Sequence, residues 1–283
     1  MRFLSYYADG GIHLGVETEG GVVDLTEADG TPASALELVA GGSAALDAVR
    51  RYLGTAPPTR ALETLALASC VPDPGKIVCV GANYRRHSAE AGLPVPDNPI
   101  YFAKYRNSLS GHRQEVAIPP GTVRVDYEVE LVAVIGSPAR GVTPAAALDY
   151  VFGYATGNDL SAREHQTRTS QWMYGKISDG FAPLGPYLVT ADEVPDPQNL
   201  DLRTWVNGEL RQDASTSDMV FSVAMLVSDL SQVTTLEPGD VIFTGTPEGV
   251  ILGMDEQVWL KPGDHIECEV LGLGRLSTTL VKG

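Results

Sequence analysis

Val125-Asp126-Tyr127-Glu128-Val129-Glu130-Leu131-Val132-Ala133-Val134-Ile135 is the stretch on which the architecture turns. From Leu131 to Ile135 every position is apolar and most are β-branched, the pattern of a strand covered on both faces. Such a strand belongs inside a sheet that carries layers on either side. The same stretch holds a chemical anomaly. Glu128 and Glu130 lie two apart, and strand side chains alternate, so both carboxylates project from one face. An unpaired buried carboxylate costs several kcal/mol, and a divalent cation would supply the missing charge. An isolated Glu-x-Glu is more often a solvated strand end. The chain carries its own comparison: Glu267-Cys268-Glu269 has the same spacing without suggestive neighbours and reads as ordinary surface.

Downstream, Phe152-Gly153-Tyr154-Ala155-Thr156-Gly157-Asn158-Asp159-Leu160-Ser161-Ala162-Arg163-Glu164 reads as a strand ending at glycine and a helix beginning. Ser161 and Glu164 fit a capping box, which places Asp159 in the turn at the strand end. Turns at strand ends commonly carry functional groups. Glu128, Glu130 and Asp159 would together offer three oxygen ligands with no His or Cys. That set favours a hard ion, Mg2+ first, with Mn2+ or Ca2+ able to substitute.

Upstream, the strand Lys76-Ile77-Val78-Cys79-Val80-Gly81 runs into Ala82-Asn83-Tyr84-Arg85-Arg86-His87-Ser88-Ala89-Glu90. His87 and Glu90, three apart on a short helix, bring imidazole and carboxylate together. Taken alone such a pair is usually a surface ion pair; beside a metal it makes a general base. Arg163 and Gln166 share a helix face just after Asp159, while Lys104 and Lys176 end the runs Ile100-Tyr101-Phe102-Ala103-Lys104 and Trp172-Met173-Tyr174-Gly175-Lys176.

Further outward, residues 1–30 alternate short apolar runs with glycine turns. Leu36, Val39, Leu46, Val49 and Leu53 then recur at helical spacing, interrupted at Gly41-Gly42. Proline-rich connections at Pro57-Pro58 and Pro72-Asp73-Pro74-Gly75 suggest a boundary, with a small β-rich domain and its helix over 1–70 and a catalytic domain over 71–283. Beyond Lys76 strand follows strand, and Asn207-Gly208 signals a type I′ hairpin. The fold class is mostly β with peripheral helices (α+β).

A formal net charge of -16 argues against nucleic acid or an anionic membrane as partner. It also means that an anionic substrate needs a locally positive site or a metal ion. Three cysteines, Cys70, Cys79 and Cys268, lack metal-type spacing and read as reduced core thiols. No signal peptide is read near the start, nor any membrane helix, so a soluble, cytoplasmic protein is expected.

Taken together, Gly81-Ala82-Asn83-Tyr84 with His87 and Glu90, Asp126-Tyr127-Glu128-Val129-Glu130-Leu131, Asn158-Asp159-Leu160-Ser161-Ala162-Arg163, Gly175-Lys176 with Asp179-Gly180-Phe181-Ala182-Pro183, Val206-Asn207-Gly208-Glu209 and Phe243-Thr244-Gly245-Thr246-Pro247-Glu248-Gly249-Val250 resemble the fumarylacetoacetate hydrolase superfamily. The likeness covers nearly all of Lys76 to Val281 and falls in the subgroup with a His-x-x-Glu dyad. It implies a mixed β-sandwich roll, a homodimer, and Mg2+ held by Glu128, Glu130 and Asp159. It further implies His87 and Glu90 as a water-activating dyad, Lys176 as the group that stabilises an enolate, and Arg163, Gln166, Thr246 and Lys104 as substrate contacts. One departure is Ile251-Leu252, where relatives often continue with glycine. The activity implied is hydrolysis of a carbon-carbon bond in a small-molecule 2,4-dioxo acid of the acylpyruvate, fumarylpyruvate or diketo sugar acid type. Oxaloacetate decarboxylation or 2-oxo acid tautomerisation on the same scaffold is the alternative, and a non-catalytic metal or metabolite binder the third reading.

Overall fold

The computed structural model describes residues 1–92 and 94–283. Nine strands form one sheet in the order Gly21–Asp24, Gly11–Thr18, Arg2–Ala8, Leu188–Thr190, Val151–Asn158, Val129–Ile135, Val241–Phe243, Ile77–Gly81 and Ile100–Lys104. The apolar stretch is indeed interior. Leu131, Ala133 and Ile135 join one apolar cluster, Val132 and Val134 another, and all five are fully buried. Because successive strand side chains point to opposite faces, these clusters are the two layers that the sequence required.

The first layer is closed by a five-stranded sheet ordered Glu209–Ser215, Asp201–Val206, His265–Val270, Gly274–Lys282 and Gln114–Ile118. Leu202, Val206, Ile266, Val270 and Leu280 come from it into the core. Asn207 and Gly208 make its hairpin with positive φ at both positions, 51° and 82°, as a type I′ turn demands. Across the other face lies α1 (Ala35–Leu53), which buries Ala35, Leu38, Val39 and Val49. Ser34 caps it by accepting from the Glu37 amide, and Gly42 at φ 52° breaks it where the glycine pair interrupts the periodicity.

One local expectation changes. The strand read as continuous from Val125 is broken: Val125–Asp126 pairs with Ser161–Ala162, whereas Val129–Ile135 pairs with Val151–Asn158. Tyr127 and Glu128 cross between the two ladders, with the Glu128 amide donating to Asn158 Oδ1 and its carbonyl accepting from the Asp159 amide. The N-terminal strands, moreover, hydrogen-bond to the rest of the large sheet through Arg2↔Val189 and Phe3↔Leu188, so no gap in the sheet marks residue 70. His13 stands there in a structural pair, Nδ1 to Asp24 at 2.9 Å. Glu267 and Glu269 both face Arg275, as befits a surface pair.

Candidate active site

Two chain segments converge where Val129–Ile135 begins beside the end of Val151–Asn158. Glu128, Glu130 and Asp159 are all buried, and a carboxylate oxygen from each lies within 4.8 Å of the others. Glu128, in the crossing just before the strand, meets Glu130 at its start, and the Glu128–Asp159 backbone bond brings the turn carboxylate alongside. The capping box does not form. Ser161 Oγ donates to the Asp159 carbonyl, and Glu164 Oε1 accepts from the Val123 amide at 2.6 Å, with the Arg124 amide at 3.3 Å. Ser161 thus stiffens the Asp159 turn instead of starting α3 (Arg163–Gln166).

Cations surround the triad. Lys176 Nζ donates to Glu128 Oε2 at 2.7 Å and Asp159 Oδ2 at 2.8 Å, and its charge lies 5.1 Å from the Phe102 ring centre. Arg163 reaches Glu128 Oε1 at 2.7 Å, donates to Gln166 Oε1 at 2.9 Å and pairs with Asp126. Lys104, expected among the substrate contacts, instead sits behind Asp159. Its Nζ is 2.6 Å from Asp159 Oδ1 and donates to the carbonyls of Leu160, Lys176 and Phe181, which leaves it no hydrogen to offer a substrate.

These contacts push the carboxyls apart. Burial raises the Glu128 carboxyl, but Lys176 and Arg163 outweigh it and bring it down to about 2. Glu130 moves the other way, well above the usual carboxylate range, through burial and the charges of Asp159 and Glu128, against the opposing pull of Lys176 and the Gly245 amide at 2.8 Å. Burial lowers Lys176, yet Asp159 and Glu128 more than compensate, so the ammonium persists. Four buried carboxylates, counting Asp126, face the three cations Lys104, Arg163 and Lys176. With Glu130 protonated the charges balance, and only its ionised form leaves one negative charge over, which a divalent cation would more than offset. An all-oxygen, buried set with one carboxyl awaiting compensation fits a hard divalent ion.

A cavity of about 380 Å³ opens on this cluster, within the usual range for small-molecule sites. Glu128, Lys176, Arg163, Gln166 and Thr246 line it together with His87 and Glu90. The dyad lies on α2 (Arg85–Glu90), with His87 Nδ1 3.5 Å from Glu90 Oε2. The rest of the wall is largely apolar and includes Phe102, Trp172 and Leu252. Trp172 packs over Gly81 so closely that an added Cβ there would lie 2.1 Å from its ring. Gln212, which no local signal marks, donates to Thr246 Oγ1 and the Pro247 carbonyl and accepts from the Val129 amide, tying Thr246 to the strand end.

Residues 76–281 match the family model for the fumarylacetoacetate (FAA) hydrolase C-terminal. The chain belongs to the fumarylacetoacetate hydrolase family. Across 99% of this chain and 92% of the relative, it is 42% identical to the human mitochondrial oxaloacetate tautomerase FAHD2A. Among solved structures it resembles a fumarylacetoacetate hydrolase from Exiguobacterium antarcticum at TM-score 0.86 and 36% identity, with both chains fully covered. It also resembles the maleylpyruvate hydrolase of Sphingobium sp. SYK-6, determined with manganese and pyruvate, at TM-score 0.82, 32% identity and full coverage of both. The family's mostly β fold therefore holds for this chain, and the family is one of enzymes. None of its described helices is long and apolar enough to cross a membrane. The human relative is mitochondrial by name, so the likeness lends no support to the cytoplasmic location read from the sequence.

Proposed function

We propose that this family member is a divalent-metal-dependent enzyme that moves a proton at the carbon beside the 2-oxo group of a small 2-oxo acid, interconverting enol and keto oxaloacetate. The observation that carries the reading is the meeting of His87 and Glu90 with Lys176 and Glu128 at one cavity, Glu128 being one of three clustered buried carboxylates. The near full-length likeness to a relative named as an oxaloacetate tautomerase supports that substrate over the carbon-carbon hydrolysis placed first from sequence.

Glu128, Glu130 and Asp159 would hold Mg2+ or Mn2+, which when bound supplies positive charge to the 2-oxo and carboxylate oxygens of the substrate. Lys176, fixed between Glu128 and Asp159, adds a charge where the 2-oxygen becomes negative. Arg163, Gln166 and Thr246 orient the substrate's remaining oxygens. His87 Nδ1 faces Glu90 Oε2 at 3.5 Å without a hydrogen bond between them; a proton kept on Nδ1 toward that carboxylate would leave Nε2 as the base. Nε2 takes the proton from C3 of the keto form and returns it to the 2-oxygen; the enol reacts in reverse.

Hydrolysis of a 2,4-dioxo acid is the second reading, favoured by the apolar wall of Phe102, Trp172 and Leu252, which offers room for an acyl substituent that oxaloacetate lacks. In that case Nε2 would take its proton from the attacking water. Ketonisation of enol-oxaloacetate, read by coupling to a keto-specific dehydrogenase, and deuterium uptake at C3 in heavy water test the first reading beside an acylpyruvate panel. Acylpyruvate cleavage without faster ketonisation would reject it in favour of the second.

A further inference from the structure

We infer that Asp126 is a positioning residue that sets Glu90, and through it His87, against the metal-binding side of the cavity. The inference rests on the proton-transfer reading above. The Asp126 side chain is fully buried and accepts four hydrogen bonds. On one side stands Arg163, whose Nε donates to Oδ2 at 2.9 Å and whose Nη2 lies 2.7 Å from the same oxygen. Facing it are two backbone amides of the loop opposite, Ile251 to Oδ1 at 2.9 Å and Leu252 to Oδ2 at 3.0 Å.

That loop is the seat of Glu90. The Gly249 amide donates to both Glu90 oxygens, at 3.0 and 3.2 Å, and Tyr127 Oη holds the Gly249 carbonyl at 2.8 Å. Gly253 lies so close to Glu90 that an added Cβ would stand 2.4 Å from its carboxyl carbon. Gly249 itself has φ +94° and meets the Arg211 carbonyl, so only glycine can present this amide. Arg163, on the other side, pairs with Glu128. One carboxylate thus joins Arg163 and Glu128 to the loop whose Gly249 amide seats Glu90, the general base's partner on α2. Charge-assisted bonds of this kind fix geometry, and misplacement of a catalytic group by about 1 Å can cost about 100-fold in rate. If Asp126 served only to neutralise Arg163, its loss would act independently of Glu90.

A double-mutant cycle separates the two roles. At saturating Mn2+, Asp126→Asn should slow single-turnover proton transfer about 100-fold in the wild-type background. In a Glu90→Gln background it should cost under about 3-fold, since the path through Glu90 is already gone. Equal losses in both backgrounds, or no loss in either, would overturn the inference. Where Asp126→Asn fails to fold, Ile251→Pro removes one amide from Asp126 while sparing the Arg163 pair, and the same cycle is read. A readout free of turnover is the ring 15N spectrum of His87: Nδ1–H in the wild type, a tautomer mixture in both Glu90→Gln and Asp126→Asn. A wild type that turns over no 2-oxo acid sinks the proton-transfer reading alone. The tautomer shift then decides the positioning role, and its absence in Asp126→Asn rejects it.

Discussion

Glu130 is the side chain whose protonation reports the state of the triad. Its folded carboxyl lies well above its ordinary value of 4.5, so between those two values the folded protein holds a proton that the unfolded chain has released. Stability from this group therefore falls as pH rises through that window, and metal binding, which needs the carboxylate, strengthens. The rise in Tm caused by Mn2+ should accordingly be larger at about pH 8 than at about pH 6, as read by calorimetry. Glu128 has the opposite sign. Its stabilisation is present above 4.5 and lost as pH falls through about 2. Lys176→Met withdraws the cation shared by Glu128 and Asp159. Turnover should drop about 100-fold or more while Mn2+ still binds by calorimetric titration. Retained turnover would remove Lys176 from the chemistry.

At the scale of elements, what matters is how closely the short segments approach one another. Gly175 ends the turn before Lys176, and an added Cβ would lie 2.4 Å from the Gln166 amide and 2.6 Å from the Ala162 carbonyl, both backbone atoms that cannot swing aside. Gly175→Ala should therefore push α3 away from Lys176, costing about 2 kcal/mol by denaturant titration and lowering turnover. Gly208→Ala is the contrast. Space around that hairpin position is open and only φ is strained, so about 1 kcal/mol should be lost with turnover unchanged. A matching loss of activity in Gly208→Ala would mean that the five-stranded sheet transmits strain to the cavity.

For the whole molecule, the continuity of the large sheet through Arg2–Ala8 and Leu188–Thr190 governs what can be removed. Deleting residues 1–70 would strip Phe3, Leu14, Val16, Leu25, Leu38 and Val49 from the second core layer and bare the edge at Leu188–Thr190. Residues 71–283 alone should aggregate or show no cooperative melting, since an unpaired edge above a half-empty layer is an association site. A sharp transition for that fragment would support a domain boundary at residue 70. Assembly as a homodimer, implied by the family likeness, is a proposal for light scattering to weigh: a mass near twice 30.1 kDa is the outcome expected.

Period and composition were enough to place the interior strand, the kinked helix, the hairpin and the carboxylate pair, because each depends on residues within a few positions of one another. Leu131 to Ile135 read as a strand covered on both sides, whereas Glu128 lies just before that strand and meets Glu130 through the crossing between the two ladders. Tertiary structure alone decided which side chains those carboxylates meet. Lys104 moved behind Asp159 because three distant carbonyls converge on it, and the sheet continued past residue 70 because strands pair across almost any separation. Ser161 left its capping role because the helix starts only at Arg163, with Ala162 at the cap position, and the Ser161 hydroxyl donates to the Asp159 carbonyl. Asp126 and Gln212 carry no local signal, for their partners lie 125 and 34 residues further along the chain, at Ile251 and Thr246. A buried charge is defined by all that surrounds it, and only the folded chain assembles those surroundings.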